Sequence, residues 1–263
     1  MSLATTTLLG AIAGLTIFLG LPIARLPHLS RSWQAFLNAI ATGILVFLLW
    51  DVITKATEPI HAALNEAKGG QGGTFITLLL LFVAGFGIGL LSLVYFERRV
   101  IHSAAKKAQT PEASPTQLAL MIAIGIGVHN FAEGLAIGQS SRAGAISLAT
   151  LLVVGFALHN ATEGFGIAAP MAGGPPPSWS FLLLAGLVAG GPTFIGTILG
   201  YSVKAEAVFV FCLALAAGSI FYVVAELLHV GRRFQLRELA MWGTLFGFFA
   251  GYGTDLFLTW SGA

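Results

Sequence analysis

Val128-His129-Asn130-Phe131-Ala132-Glu133-Gly134 and Leu158-His159-Asn160-Ala161-Thr162-Glu163-Gly164 repeat one polar pattern after 30 residues, inside otherwise apolar sequence. In each copy His and Glu stand four residues apart, which stacks them on one face of a helix. The flanks 121–127 and 151–157 are apolar throughout. Imidazole and carboxylate are costly in lipid, so they face the protein interior and pair with each other or with a cation. Two such helices bring His129, Glu133, His159 and Glu163 together as two nitrogen and two oxygen ligands. That set suits a borderline divalent metal.

Working outward, the chain reads as a membrane protein. Of 263 residues, 56% are hydrophobic and only 9% charged, with a mean hydropathy of +0.87; an ordinary soluble domain carries about 25% charged residues. Apolar runs of about 20 residues, enough to cross a bilayer, fall at 3–24, 34–53, 74–96, 117–138, 144–169, 179–202, 207–228 and 239–260. The expected fold is an all-α integral membrane protein, an eight-transmembrane-helix bundle forming a single domain over 1–263. The first run lacks a basic leader and outruns a typical signal core, so it reads as a retained span.

Charge placement sets the expected topology. With the N-terminus outside, the cytoplasmic loops hold Arg25, Arg31, Arg98, Arg99, Lys106, Lys107, Arg232, Arg233 and Arg237, nine of 13 basic residues. Lys55, Lys68, Arg142 and Lys204 fall outside. The positive-inside rule then places both termini outside. No dense basic patch points to a nucleic-acid partner. Cys212, the single cysteine, lies in span 7, which excludes an intramolecular disulfide and a thiolate metal cluster.

The breaks between spans have distinct characters. Residues 55–73 are polar and end in Gly69-Gly70-Gln71-Gly72-Gly73, a flexible stretch. The connection over about 97–116 holds the basic run with Pro111 and Pro115 and reads as a cytoplasmic loop. Pro175-Pro176-Pro177 makes the connection after span 5 stiff and extended. The links after spans 4 and 6 are very short, which predicts that spans 4/5 and 6/7 pack as antiparallel hairpins. Glycines inside spans, Gly85, Gly87 and Gly89 in span 3 and Gly243, Gly247 and Gly251 in span 8, serve either close helix packing or a sliding surface between helices.

Each polar feature has a plain reading beside the chemical one. A lone intramembrane histidine is often only an interhelical hydrogen-bond partner; the recurrence of the whole pattern on two tightly linked helices favours ligation. With N and O donors and no thiols, zinc and iron are favoured, and manganese, cobalt and cadmium fit the same set. Asn130 and Asn160, about 100° round the helix from their histidines, either orient the ligands, adjoin a second site or simply pack. Pro192, in Gly190-Gly191-Pro192-Thr193, either kinks span 6 or frees a carbonyl for a partner. Asp51, Glu226, Asp255 and His229 are either stations on an ion path or interfacial residues that snorkel to headgroups.

With these motifs the chain resembles the ZIP (Zrt/Irt-like) family of divalent-metal transporters, through His-Asn-Phe-Ala-Glu-Gly and His-Asn-Ala-Thr-Glu-Gly on spans 4 and 5, the eight spans and the basic loop before span 4. It looks most like the compact prokaryotic branch, with no large domain expected before span 1. The resemblance implies a binuclear centre halfway across the membrane, with His129, Glu133, His159 and Glu163 as the primary site. It implies that Asn130 and Asn160 belong to the neighbouring site, bridged by the glutamates. It further implies uptake of metal into the cytoplasm by one helix group sliding past another. One departure stands out. Many members carry a Glu-Pro pair in span 6 that completes the second position, whereas span 6 here reads Ala189-Gly190-Gly191-Pro192-Thr193 and holds no acid. One strong site beside a weak or absent neighbour is therefore expected.

The leading function is transport of divalent metal, zinc foremost, and not an enzyme activity. The alternative is a membrane-embedded zinc hydrolase, which needs an open metal position, a water and a general base. His-Asn-x-x-Glu lacks the usual HExxH arrangement and no spare base accompanies it. Zinc or a related ion is then the transported substrate, with no resident cofactor. The partners are that cation, the lipid bilayer and, left open, a second copy of the chain as a homodimer. A bacterial inner membrane is the expected location.

Overall fold

The computed structural model describes residues 1–26, 30–67, 72–96, 98–99, 114–142, 144, 146–203 and 205–260. Inside the helices, side-chain placement is described except at positions 96, 146–148, 151, 152, 155, 158, 159 and 258. Most of the expected 97–116 loop, with His102, Lys106, Lys107 and Pro111, lies outside the described residues, as do Lys68, residues 69–71 and Lys204. Eight α-helices make up the described chain, with no strand among the described residues: α1 (Leu3–Leu15), α2 (Arg31–Ala67), α3 (Gly72–Phe96), α4 (Pro115–Arg142), α5 (Ile146–Ala168), α6 (Trp179–Ser202), α7 (Glu206–Arg233) and α8 (Arg237–Trp260).

This is a multi-pass integral membrane protein. Among the described residues, Leu3–Arg25 and the helices α2, α3, α4, α6 and α7 are apolar and long enough to cross a bilayer. Helices α5 and α8, of 23 and 24 residues, have the length to do the same. Large apolar side chains face outward along several of them, including Leu80 and Val83 on α3, Leu184 and Ile195 on α6, and Phe246 and Phe249 on α8. In water such a surface would be an association hazard; against acyl chains it is matched.

Helix packing runs α4 on α6, α3 on α7 and α2 on α8, with α1 on α6 and α5, and α7 also on α2 and α4. Small residues set the contacts, as lipid-embedded packing requires. Gly43 lies on the Thr244 carbonyl and Gly247 on the Ile40 carbonyl, joining α2 to α8. The same exchange joins α7 to α3, with Gly218 on the Phe86 carbonyl and Gly89 on the Leu215 carbonyl. Gly14 of α1 and Gly190 of α6 each sit on the other's carbonyl. Contacts of α1, α2 and α3 are thus repeated by α6, α7 and α8. Since Gly10 also meets Thr197 beyond the Gly14 crossing, α1 and α6 run in opposite directions. The two triplets form an inverted repeat around the α4/α5 pair, an architecture familiar among transporters.

Three expectations change. The first span is not one helix: α1 ends at Leu15 and 3₁₀ turns, Thr16–Leu19 and Leu21–Arg25, carry the chain on. Pro22, which has no N–H to donate, opens the second turn. The second span does not stop at 53 but continues to Ala67, because Ile60 and Ala63 pack on Leu78 of α3 and Val210 of α7. Asp51 and Lys55 therefore sit within the bundle and not at a loop boundary. Finally, α6 and α7 do not pack side by side despite their short link. Gly196 and Gly200 hold α6 on the Phe131 and Leu135 carbonyls of α4, while Gly218 holds α7 on α3, so the axes diverge. The 4/5 pair does pack together, as its link predicts.

Candidate metal centre

Helices α4 and α5 bring the polar patterns into the core. His129, Asn130, Glu133, Asn160 and Glu163 are all buried, at 0–4% exposure. His129 Nε2 lies 3.1 Å from Glu133 Oε1 on its own helix and 3.9 Å from Glu163 Oε1 on the neighbouring one. A tetrahedral ion with bonds near 2.0–2.1 Å holds its ligand atoms about 3.3 Å apart, so the two separations bracket that spacing. His159 takes its place on α5, and its side chain lies outside the described residues. Among the described residues no three His, Cys, Asp or Glu side chains are already closed around one point.

The asparagines anchor the pair to its surroundings. Asn130 Nδ2 donates to the Ala189 carbonyl of α6 at 3.1 Å, and Asn160 Nδ2 donates to the Ala13 carbonyl of α1 at 3.0 Å. Thr16 adds a 2.6 Å hydrogen bond from its hydroxyl to the Ala157 carbonyl of α5. One turn beyond each asparagine, Gly134 lies on the Thr193 carbonyl and Gly164 on the Ile17 carbonyl. Any side chain there would strike backbone, so glycine after each glutamate is a packing requirement. The carbonyl that Pro192 leaves without its helical donor is that of Val188, and it faces Gly127 of α4. Among the described residues beside this centre, Asn130 Oδ1, Asn160 Oδ1 and Thr193 Oγ1 are buried oxygens without a hydrogen-bond partner.

A cavity of about 190 Å³ leads away from His129 and Glu133, with Asp51 and Lys55 of α2 and Phe209 and Leu213 of α7 in its wall. Lys55 Nζ and Asp51 Oδ2 form an ion pair of 2.7 Å. The structure thus joins Asp51 to the centre. Asp255 is partly exposed on α8 and does not line that cavity. Glu226 is half-buried on α7 and also stands apart from it. His229 is exposed, with Nε2 3.1 Å from Arg233 Nη2. Lys55 is the residue that sequence reasoning missed, having been assigned to a loop; its spacing of four from Asp51 on a continuing helix was the available signal.

These features define a polytopic membrane protein with a buried carboxylate and imidazole centre between an inverted pair of helix triplets. The ZIP zinc transporter family matches residues 97–252, more than half of the chain, and the chain belongs to that family. A zinc transporter, ZupT, from Streptococcus mutans serotype c (strain ATCC 700610 / UA159) is 28% identical over 136 residues, covering 50% of this chain and 50% of that protein. The aligned stretch therefore spans about half the length of that relative.

Proposed function

We propose that this protein carries divalent metal, zinc foremost, across a bacterial inner membrane into the cytoplasm, through a site formed by His129, Glu133, His159 and Glu163. The observation that carries the reading is the convergence of His129 with Glu133 and Glu163, on two helices, in a fully buried setting. Two carboxylates buried beside imidazole are expensive to keep charged in a low-dielectric interior, and a divalent cation compensates them directly. Family membership and the name of the S. mutans relative favour transport over the hydrolase alternative and zinc over other ions. The termini lie outside in this reading. Moving Lys55 from a loop into the bundle widens the basic asymmetry from which that orientation is argued.

Asn130, Asn160 and Thr193 supply neutral oxygens for a neighbouring, weaker position, since span 6 contributes no carboxylate. Asp51 gathers ions at the far end of the cavity, with Asp255 level with it on α8, and Glu226 and His229 stand on the route at the opposite, arginine-rich end. The test is uptake of zinc into vesicles reconstituted with the purified full chain, with iron, manganese, cobalt and cadmium as competitors. Zinc accumulation above protein-free vesicles is expected. Zinc-independent behaviour, or hydrolysis of lipid or peptide without uptake, would remove the reading.

A further inference from the structure

We propose that a second cavity, between α2, α7 and α8, binds the headgroup of an anionic phospholipid whose headgroup carries hydroxyls, as in phosphatidylglycerol. The cavity measures about 540 Å³, and Asn38, Leu228, Arg232, Leu236, Arg237 and Met241 contribute to its wall. That volume is typical of small-molecule sites. It lies at the arginine-rich end of the bundle, where the Arg31 guanidinium of α2 donates to the Arg233 carbonyl of α7 at 2.9 Å.

Three features of the wall specify the occupant. Arg232 and Arg237 are exposed, and neither makes an ion pair among the described residues. Two guanidinium forks at one mouth match the charge and geometry of a phosphodiester. Asn38 is 2% exposed; its Nδ2 donates to the Leu227 carbonyl at 3.0 Å, and its Oδ1 has no hydrogen-bond partner. A buried acceptor in a cavity wall is satisfied by a donor from the occupant, which a headgroup hydroxyl supplies and an ionised phosphodiester, with no O–H of its own, does not. Apart from Thr42, Gln235 and Thr244 the remaining wall is apolar, and its exposed members Leu228 and Met241 run on to exposed Trp242 and Leu245. An acyl chain leaving the headgroup follows that surface. Basic pockets between transmembrane helices at the positively charged side bind lipid headgroups on the same grounds.

The experiment counts lipids retained by the purified full chain, by native mass spectrometry, after exchange into mixed micelles of phosphatidylglycerol and phosphatidylcholine with identical acyl chains. The wild type is expected to retain phosphatidylglycerol roughly thirtyfold over phosphatidylcholine, the order expected from two basic contacts. Arg232→Gln with Arg237→Gln should abolish the preference. Arg98→Gln with Arg99→Gln removes equal charge from the same end away from the cavity and should leave it intact. The proposal is overturned by equal retention of the two lipids in the wild type, which needs no variant to fold. It is also overturned by a preference that survives the Arg232 and Arg237 changes or falls equally with the Arg98 and Arg99 changes. Competition by soluble glycerol 1-phosphate as strong as by the lipid would assign the cavity to a free phosphate instead.

Discussion

Asn130 and Asn160 occupy matching positions across the inverted repeat: each donates from Nδ2 to an alanine carbonyl, Ala189 on α6 for the first and Ala13 on α1 for the second. Each is followed, four residues on, by a glycine pressed against the carbonyl four residues further along the partner segment, Thr193 within α6 and Ile17 in the 3₁₀ turn that follows α1. The ligand-bearing helices α4 and α5 are therefore clasped by the same device from two sides. Local packing, and not the metal ligands alone, holds the centre in register.

That clasp is testable through stability. Gly134→Ala places a Cβ into the Thr193 carbonyl, and overpacking of this kind costs about 1–3 kcal/mol. Gly87→Ala meets nothing within 4 Å and exchanges a poor helix former for a good one. The thermal midpoint of the detergent-purified protein should fall for Gly134→Ala and hold or rise for Gly87→Ala. Equal midpoints for the two variants would mean that the α4/α6 contact is not tight.

Metal affinity should fall as pH drops. A protonated imidazole has no lone pair to offer, so protons and metal compete for the same nitrogen. With the ordinary histidine value near 6.5, going from pH 7.5 to 5.5 weakens binding roughly tenfold for each ligating imidazole, and about a hundredfold if His129 and His159 both bind. Zinc titration at the two pH values reads this directly. Affinity that does not change across the interval argues against imidazole ligation.

The charge count predicts the stoichiometry. Glu133 and Glu163 balance one divalent ion and leave a second uncompensated in a low-dielectric site. The native protein should bind one zinc tightly and a second weakly or not at all. Thr193→Asp, which replaces a fully buried hydroxyl without a hydrogen-bond partner by a carboxylate, should raise the count to two and slow release. Two equally tight metals in the native protein would show that Asn130, Asn160 and Thr193 supply more than neutral oxygens are expected to.

Much of this was legible in the sequence, for identifiable reasons. The polar patterns at 128–134 and 158–164 carry helical spacing and a lipid-incompatible chemistry, so their burial could be read directly. What escaped was set by tertiary contact. The extension of α2 past Asp51 depends on Ile60 and Ala63 finding Leu78 and Val210, which composition alone does not register. The inverted repeat was present as Gly10, Gly14 and Gly20 recurring at Gly186, Gly190 and Gly196. That signal is weak beside 33 glycines, and only the matching contacts give it meaning. The divergence of α6 from α7 likewise follows from which carbonyls their glycines meet. Link length does not determine it.

The central claim is that metal crosses the membrane at the His129, Glu133 and Glu163 centre. The most direct measurement is initial zinc uptake into vesicles reconstituted with equal amounts of folded wild type, His129→Ala and Glu163→Ala. Losing one ligand of a four-ligand site should reduce uptake by at least about tenfold, to the protein-free background, because second-row changes around metal sites alone cost 10–100-fold. The wild type should show clear zinc-dependent uptake. Uptake by well-folded His129→Ala at the wild-type rate would contradict the account.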